Sequence, residues 1–470
     1  MTQTTRAWTL LVYMAGDNGK IFEEHQGKML FAPMENQGWQ DIEKMEAIGS
    51  TDEIAVVVQF DTLSDREHTY RIYIPPKGKK REIVNIPEQN TGDPTSLRDF
   101  IVWGIENYPA QNYAVILWNH GTGWKEDDIY EFARSRSVSI RATGDEVRSL
   151  TRSNRRLSHA FFLSSITEVL QLEDEDSRAI AFDDSSMDFL DNAKLQQAFQ
   201  EAEEKSGQKV SLIGMDACLM SMVEVAYQLR ANANCLVASQ EVEPMYGWPY
   251  TAILQDLTAN PDMTSVSLAK LIVQKYGLHY SEGLRGGGID ITQSAINLKE
   301  IVPKDLLDES EGLGGSGSVI TQSATNLKVI DKLAEAMGRL ATILRESLSN
   351  NQDLYAEVAL SRVQRKVKRF RDEDFADLHD FVKNFRDEYT GDNTELSRVL
   401  DEVINLIILE VEPQFILANV TGERKSTATG LSIYLPIVGY SQFYDRSDFA
   451  SCGWGEFIRV HNKVDEQQRK

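Results

Sequence analysis

Unbroken apolar runs, separated by stretches of helical spacing, constrain this chain more than any other feature. Residues 8–14 (W-T-L-L-V-Y-M), 54–60 (I-A-V-V-V-Q-F) and 113–118 (Y-A-V-I-L-W) are apolar at nearly every position. A strand with one wet face alternates polar and apolar side chains, so runs like these are buried on both faces, as in sheets covered by helices. Between them, residues 41–47 and 95–108 read as helices, the second with Ser96 as its N-cap. Strand and helix alternating in this order predict an α/β fold around a mostly parallel sheet. Sheets of this kind gather their working groups at the carboxyl ends of the strands.

Two such ends carry reactive side chains. The 113–118 run leads straight into N-H-G (119–121). The stretch V-S-L-I-G-M-D-A-C-L-M-S (210–221) reads as a short strand ending at Gly214, followed by Asp216 and Cys218. A helix with Met222, Val223, Ala226 and Leu229 on one face comes next. Cys218 is therefore expected where strand hands over to helix, a place where N–H groups at a helix N-terminus favour a thiolate. A cysteine nucleophile also needs a base and N–H donors for the oxyanion. His120 is the candidate base, and the N–H groups of Cys218 and Gly121 are the candidate oxyanion donors. With no side chain at Gly121, substrate can come close to its backbone. His25, His68, His159 and His461 stand in polar stretches, and His279 and His379 lie within helical runs. Cys235 opens an apolar strand (235–239) and Cys452 sits in a Ser-Cys-Gly turn, so neither shares the placement of Cys218.

Composition narrows the partners. The chain has 470 residues, 41% of them hydrophobic, enough for a large core or for two or three domains. A net charge of −23 argues against phosphate-backbone binding and against an anionic membrane surface. No apolar run reaches the roughly 18 residues of a membrane helix, and the N-terminus lacks the order of a signal peptide. Three cysteines are too few and too scattered for a disulfide framework or a zinc site. The expectation is a cytoplasmic protein without a metal, acting on protein or peptide partners and not on nucleic acid or membrane.

Other segments complete the layout. Residues 19–38 read as an irregular insertion, and 70–74 with 81–86 as a hairpin around P-P-K-G (75–78). Residues 125–180 interrupt the pattern; between Ala133 and Ala160 they hold seven arginines against Asp145 and Glu146. Residues 192–203 and 251–280 are expected to be helical. I-T-Q-S-A-I-N-L-K-E-I (291–301) recurs as I-T-Q-S-A-T-N-L-K-V-I (320–330), nine of eleven positions identical, with a Gly/Ser linker between the copies. Only the second copy runs into an amphipathic helix (Leu333, Met337, Leu340, Leu344, Leu348), which makes it the better core strand. Residues 363–371 read as a basic, solvated helix face, 375–385 and 396–411 as helices, and 430–436 as a last strand ended by proline. Trp454, Phe457 and Ile458 anchor a terminal helix. The expected division is a catalytic core over 1–290 with insertions at 19–38 and 125–180, a duplicated strand segment over 291–330, and a C-terminal part over 331–470 that completes the sheet.

An apolar strand followed by His-Gly, and later one followed by Asp-Ala-Cys, resembles the clan of cysteine peptidases that includes caspases, gingipains and legumain. More narrowly, six ordered blocks resemble the clostripain family: W-T-L-L-V-Y-M-A-G-D-N (8–18), W-N-H-G-T-G-W (118–124), M-D-A-C-L-M (215–220), A-S-Q-E-V-E-P (238–244), the T-Q-S-A-x-N-L repeat and G-L-S-I-Y-L-P (430–436). The resemblance implies a caspase-like three-layer α/β/α sandwich with insertions and a C-terminal helical extension. It implies a His120/Cys218 dyad that cuts peptide bonds after arginine or lysine, with Asp216 as the acid at the base of the side-chain pocket. The family commonly has Gly-Asp before Gly-Trp in the following loop. Here Met245-Tyr246 precedes Gly247-Trp248, so a second acid is missing and Tyr246, beside Trp248, narrows the pocket or shifts its preference. Members often cut themselves between the histidine and the cysteine, where the arginine-rich 134–156 stretch lies, and some need calcium. Asp183, Asp184 and Asp188 do not have the spacing of an EF-hand loop. Two other readings compete: a non-catalytic module of the same fold that binds partners, and a cysteine-dependent amidase or acyl-transfer enzyme.

Overall fold

The computed structural model describes residues 5–17, 22–24, 28–31, 33–119, 190–241, 243–244, 246–282, 320–349, 353–407, 415–422, 425–437, 439–441, 444–445 and 447–468. His120, Gly121, the arginine-rich 134–156 stretch, Asp183, Asp184, Asp188 and the first repeat copy (291–301) lie outside the described residues. In chain order the elements are β1 (Arg6–Gly16), β2 (Phe22–Glu24), β3 (Lys28–Phe31), α1 (Pro33–Glu46), β4 (Ile54–Thr62), β5 (His68–Tyr73), β6 (Glu82–Pro87), α2 (Pro94–Asn107), β7 (Ala110–Trp118), α3 (Asn192–Ser206), β8 (Leu212–Asp216), α4 (Val223–Gln228), β9 (Cys235–Ala238), α5 (Tyr250–Ala259) and α6 (Ser265–Glu282). After these come β10 (Thr321–Asn326), α7 (Ile330–Ser349), α8 (Leu354–Lys366), β11 (Phe375–Asp377), α9 (Leu378–Glu388), α10 (Thr394–Ile407), β12 (Ile416–Thr421), β13 (Ser432–Tyr434) and α11 (Trp454–Gln468). The described residues fall into two compact units. One draws on Met1–Gln208, Pro244–Asp262 and Glu282–Ser316, the other on Lys209–Glu243, Met263–Ser281 and Gly317–Lys470.

In the first unit β1 lies between β4 and β7 and is parallel to both, so Val12 stands opposite Val58 on one side and Ile116 on the other. Leu10 through Ala15 are at most 2% exposed, which is why this run carries no polar alternation. β5 and β6 add antiparallel beyond β4, as the expected hairpin. Helix α2 packs on β1 and β7. A Cβ at Gly104 would stand 2.3 Å from Leu11 Cδ2, so the close approach of helix to strand requires glycine there. Two readings are corrected. The cap of α2 is Asp93, whose side chain accepts from Thr95 N–H at 2.8 Å, while Ser96 is buried inside the first turn. Pro94 at the first helical position fixes φ and has no N–H to satisfy, so the helix starts two residues before Ser96. The supposed irregular insertion contains the β2–β3 hairpin, and α1 begins at Pro33, eight residues ahead of the apolar period that marks its buried face.

In the second unit β8 and β9 are parallel, and β10 and β12 follow antiparallel in the order β12-β10-β9-β8. The second repeat copy supplies β10, and every residue of that strand is buried although most are polar. Leu333, Met337, Leu340, Leu344 and Leu348 of α7 are buried where it meets α10 and α11. Trp454, Phe457 and Ile458 of α11 are fully buried, and Trp454 Nε1 donates to Tyr434 O at 2.8 Å. Residues 375–377 form a strand rather than the start of a helix, because Asp377 caps α9 by accepting from Asp380 N–H. The strand expected over 430–436 narrows to β13, which pairs with β11 in a separate two-stranded sheet. The basic run is not one solvated face. α8 stops at Lys366, and Arg369 turns inward to donate to the carbonyls of Glu373 and Leu435. Among the described residues no helix is long and apolar enough to cross a membrane.

Candidate active site

β8 continues to Asp216, two residues past Gly214, and the chain then turns. Cys218 is on that turn with intermediate exposure, between the buried Ala217 and Met220. α4 begins only at Val223 and has six residues. This corrects the expected helix N-terminus, which lies five residues on; the N–H of Glu243, on the loop after β9, donates to Cys218 Sγ at 3.3 Å. An N–H aimed at sulfur favours the thiolate over the thiol. Leu219 follows with φ of 60°, and among the described residues no other non-glycine residue has positive φ. That conformation costs a non-glycine residue about 1–2 kcal/mol and persists only where neighbours enforce it.

The enforcement is visible bond by bond. Leu219 N–H donates to Glu241 O at 3.2 Å and Ser221 N–H to Ser239 O at 2.8 Å. The hydroxyls of Ser221 and Ser323 both lie within hydrogen-bond distance of Gly430 O, at 2.7 and 2.6 Å. Thr321 Oγ1 accepts from the N–H groups of Gln240 and Glu241 at 3.0 and 2.9 Å. The Glu241 carboxylate accepts from Arg371 N–H and pairs with Lys425 Nζ at 2.5 Å, both side chains largely out of solvent. Gln240 donates to Asp377 and takes Gly430 N–H. Burial pushes Asp377 up, opposed by the donors of Thr429, Asp380 and Gln240. Two of the polar residues of β10, Thr321 and Ser323, thus brace the cysteine turn and the loop after β9.

Asp216, the last residue of β8, is 5% exposed, and Glu243 is 8% exposed. Tyr276 of α6 is fully buried. Burial, and then the charges of Glu243, Tyr280, Asp216 and Cys218, raise its phenol well above the usual range, so its hydroxyl stays protonated and in the field of those groups. Glu243 falls within the A-S-Q-E-V-E-P block (238–244) without a role assigned to it, and Tyr276, on a helical apolar face, looks like ordinary core. Tyr246 and Trp248 lie in the loop before α5, within the first unit. Tyr246 is half-buried and its carbonyl accepts from Lys44 Nζ at 2.6 Å. Trp248 is fully buried, 6.4 Å from the ring of Tyr250. In the same unit Asp17, Asp61 and Glu88 each offer a carboxylate oxygen, all within 4.8 Å of one another. Such a set of hard oxygen donors suits a divalent cation like calcium.

Comparison with known proteins identifies the family. The model of the clostripain family matches residues 12–140 and 168–457. Clostripain of Hathewaya histolytica is 31% identical over 180 residues, which is 37% of this chain and about a quarter of the length of that relative (26%). A secreted C11 cysteine protease from Bacteroides thetaiotaomicron, solved with an irreversible peptide inhibitor, is 16% identical with a TM-score of 0.57, covering 95% of this chain and 99% of that one. An inactive zymogen C11 protease from Parabacteroides distasonis is similar to the same degree, with 16% identity, a TM-score of 0.57 and coverage of 96% and 99%. The likeness to these two structures shows a shared fold, the expected caspase-like α/β arrangement. With a family match over most of its length, the chain belongs to the clostripain family of cysteine peptidases.

Proposed function

We propose that this chain is an endopeptidase in which Cys218 is the nucleophile and His120 the base, cutting after lysine or arginine. The observation that carries the reading is the cysteine turn itself. A half-exposed sulfur stands just past the end of a buried strand, takes a backbone N–H, and is held by a strained residue and a network of buried hydroxyls. In this reading the imidazole takes the thiol proton and the sulfur attacks the scissile carbonyl carbon. The N–H groups of Cys218 and Gly121 take the charge on oxygen. Collapse breaks the C–N bond, and the amine leaves with the proton from the imidazole. Water then splits the thioester, its proton passing through His120 back to sulfur. Asp216 attracts the cationic side chain of the substrate.

Self-processing within the 134–156 stretch is part of the same proposal. Peptidyl-lysine and peptidyl-arginine reporters should be turned over by the wild type and not by Cys218→Ala, and the variant should run as one full-length chain where the wild type gives two fragments. Wild-type turnover that survives the substitution would overturn it. We also place calcium at Asp17, Asp61 and Glu88 rather than at Asp183–Asp188. Calcium bound there would supply charge compensation for three clustered carboxylates. Added calcium should raise the melting temperature of the wild type, and Asp61→Asn should remove that rise; equal rises in both would reject the placement. A cytoplasmic location is part of the reading, since three scattered cysteines are too few for the disulfide framework of an oxidising compartment, and cell fractionation tests it.

A further inference from the structure

Strand β6 closes the order β7-β1-β4-β5-β6, and among the described residues no strand pairs with its outer side. Just past it, Glu88 N–H donates to Glu67 O at 3.1 Å. With β6 antiparallel to β5 and Val84 opposite Arg71, that bond fixes the alternation: Ile86, Val84 and Glu82 bond inward to β5. The N–H and C=O groups of Ile83 and Asn85 therefore face outward, while Pro87 at the same phase has no N–H. Ile83 and Val84 are 45% and 58% exposed, so the middle of the edge is apolar as well as unpaired. Val84 shares a face with Arg71, whose guanidinium lies 4.7 Å from the centre of the Trp103 ring, and Ile83 projects to the other face beside Ile72. At the head of the strand, Lys77, Lys79 and Lys80 are exposed and form no ion pair among the described residues, whereas Arg81 pairs with Glu46 at 2.6 Å.

An exposed edge is ordinarily blunted by charge along the strand, by proline or by a covering element. Here Pro87 blunts only the far end, and the lysines gather at the turn beside the edge rather than along it. In a chain of net charge −23 that cluster of uncompensated cations is a local exception. We propose that β6 is a docking edge for an extended acidic segment of a partner protein, which adds to the sheet as an antiparallel strand. Two adjacent apolar side chains of the segment cover Val84 on one face and Ile83 on the other, and the acids that follow reach Lys77, Lys79 and Lys80 at the turn. Ladder bonds to Ile83 and Asn85 supply affinity, while the lysines set the direction of the segment and the choice of partner. A second copy of this chain fits worse. It brings the same lysines and another net charge of −23 to the edge, and a two-fold pairing sets Pro87 against the ladder twice. The proposal does not depend on the peptidase reading.

The test is fluorescence anisotropy with the full-length chain and a labelled peptide of two valines, two threonines and three aspartates in that order, free of lysine and arginine. Saturable binding is expected, and the same peptide with lysines for the aspartates should not bind. Asn85→Pro removes one outward N–H at a position that an edge strand tolerates, and should weaken binding about tenfold or more. Lys79→Glu combined with Lys80→Glu should weaken it by about the same factor and flatten its dependence on salt. Both variants should melt like the wild type. No saturable binding, or binding that both variants retain, would overturn the proposal. So would binding abolished by alkylating Cys218, which would move the peptide to the cysteine turn. A dimer in sedimentation that Asn85→Pro breaks and the peptide leaves intact would give the edge to a second copy and reject the acidic partner. Should Asn85→Pro fail to fold, the lysine substitutions decide by themselves.

Discussion

At the scale of single residues, the turn that presents Cys218 is bent against its local preference at Leu219. A β-branched side chain tolerates positive φ worse than leucine, whereas glycine enters that region freely. Leu219→Val should therefore lower stability by roughly 1 kcal/mol or more and slow turnover, while Leu219→Gly keeps the backbone conformation. Melting curves of the two variants test this, and a valine variant as stable as the glycine one would remove strain from the account. Cys218 and Asp216 were legible as candidates because both sit within three residues at one strand end. The N–H of Glu243 was not, since it meets the sulfur across 25 positions of chain.

At the scale of elements, α4 is tied to the C-terminal segment through a buried acid. Glu224 is fully buried, and its Oε1 accepts from Tyr434 N–H at 2.9 Å and from the Tyr444 hydroxyl at 2.8 Å. Its Oε2 has no hydrogen-bond partner among the described residues. Burial pushes its pKa from 4.5 up to about 7, against the lowering by those two donors. The folded chain therefore holds this proton more tightly than the unfolded chain. Its contribution is complete below pH 4.5 and is lost as pH rises through about 7, on the order of 3 kcal/mol. Glu224→Gln keeps the acceptor and cannot ionise, so it should melt like wild type at pH 4.5 and higher than wild type at pH 8. Parallel pH curves for the two proteins would contradict the assignment. Element readings failed where a cap or a strand is short. Asp93, β11 and α4 span too few residues for periodicity to speak, and their ends are set by single side-chain bonds.

At the scale of the whole molecule, the net charge of −23 acts on encounter rather than on chemistry. A cationic peptide is drawn in by a field that salt screens within about 10 Å at 0.1 M. Raising ionic strength from low to about 0.5 M should lower kcat/KM for lysyl and arginyl reporters several-fold, with little change for a neutral one. A flat salt profile for the basic reporters would show that the charge is spread where it does not reach the site.

The α/β class, the buried strands and the cysteine at a strand end were settled by sequence alone, because continuous apolar runs can be satisfied in few ways and carry their own period. The second repeat copy was legible as a core strand for the same reason, through the apolar helix behind it. The tertiary structure decided which stretches share a compact unit, that a loop N–H rather than a helix end faces the sulfur, and what the buried hydroxyls of β10 hold. Those are contacts between residues far apart in the chain. Hydrogen bonds of that kind leave no repeat in a sequence, since any of several polar side chains could have made them.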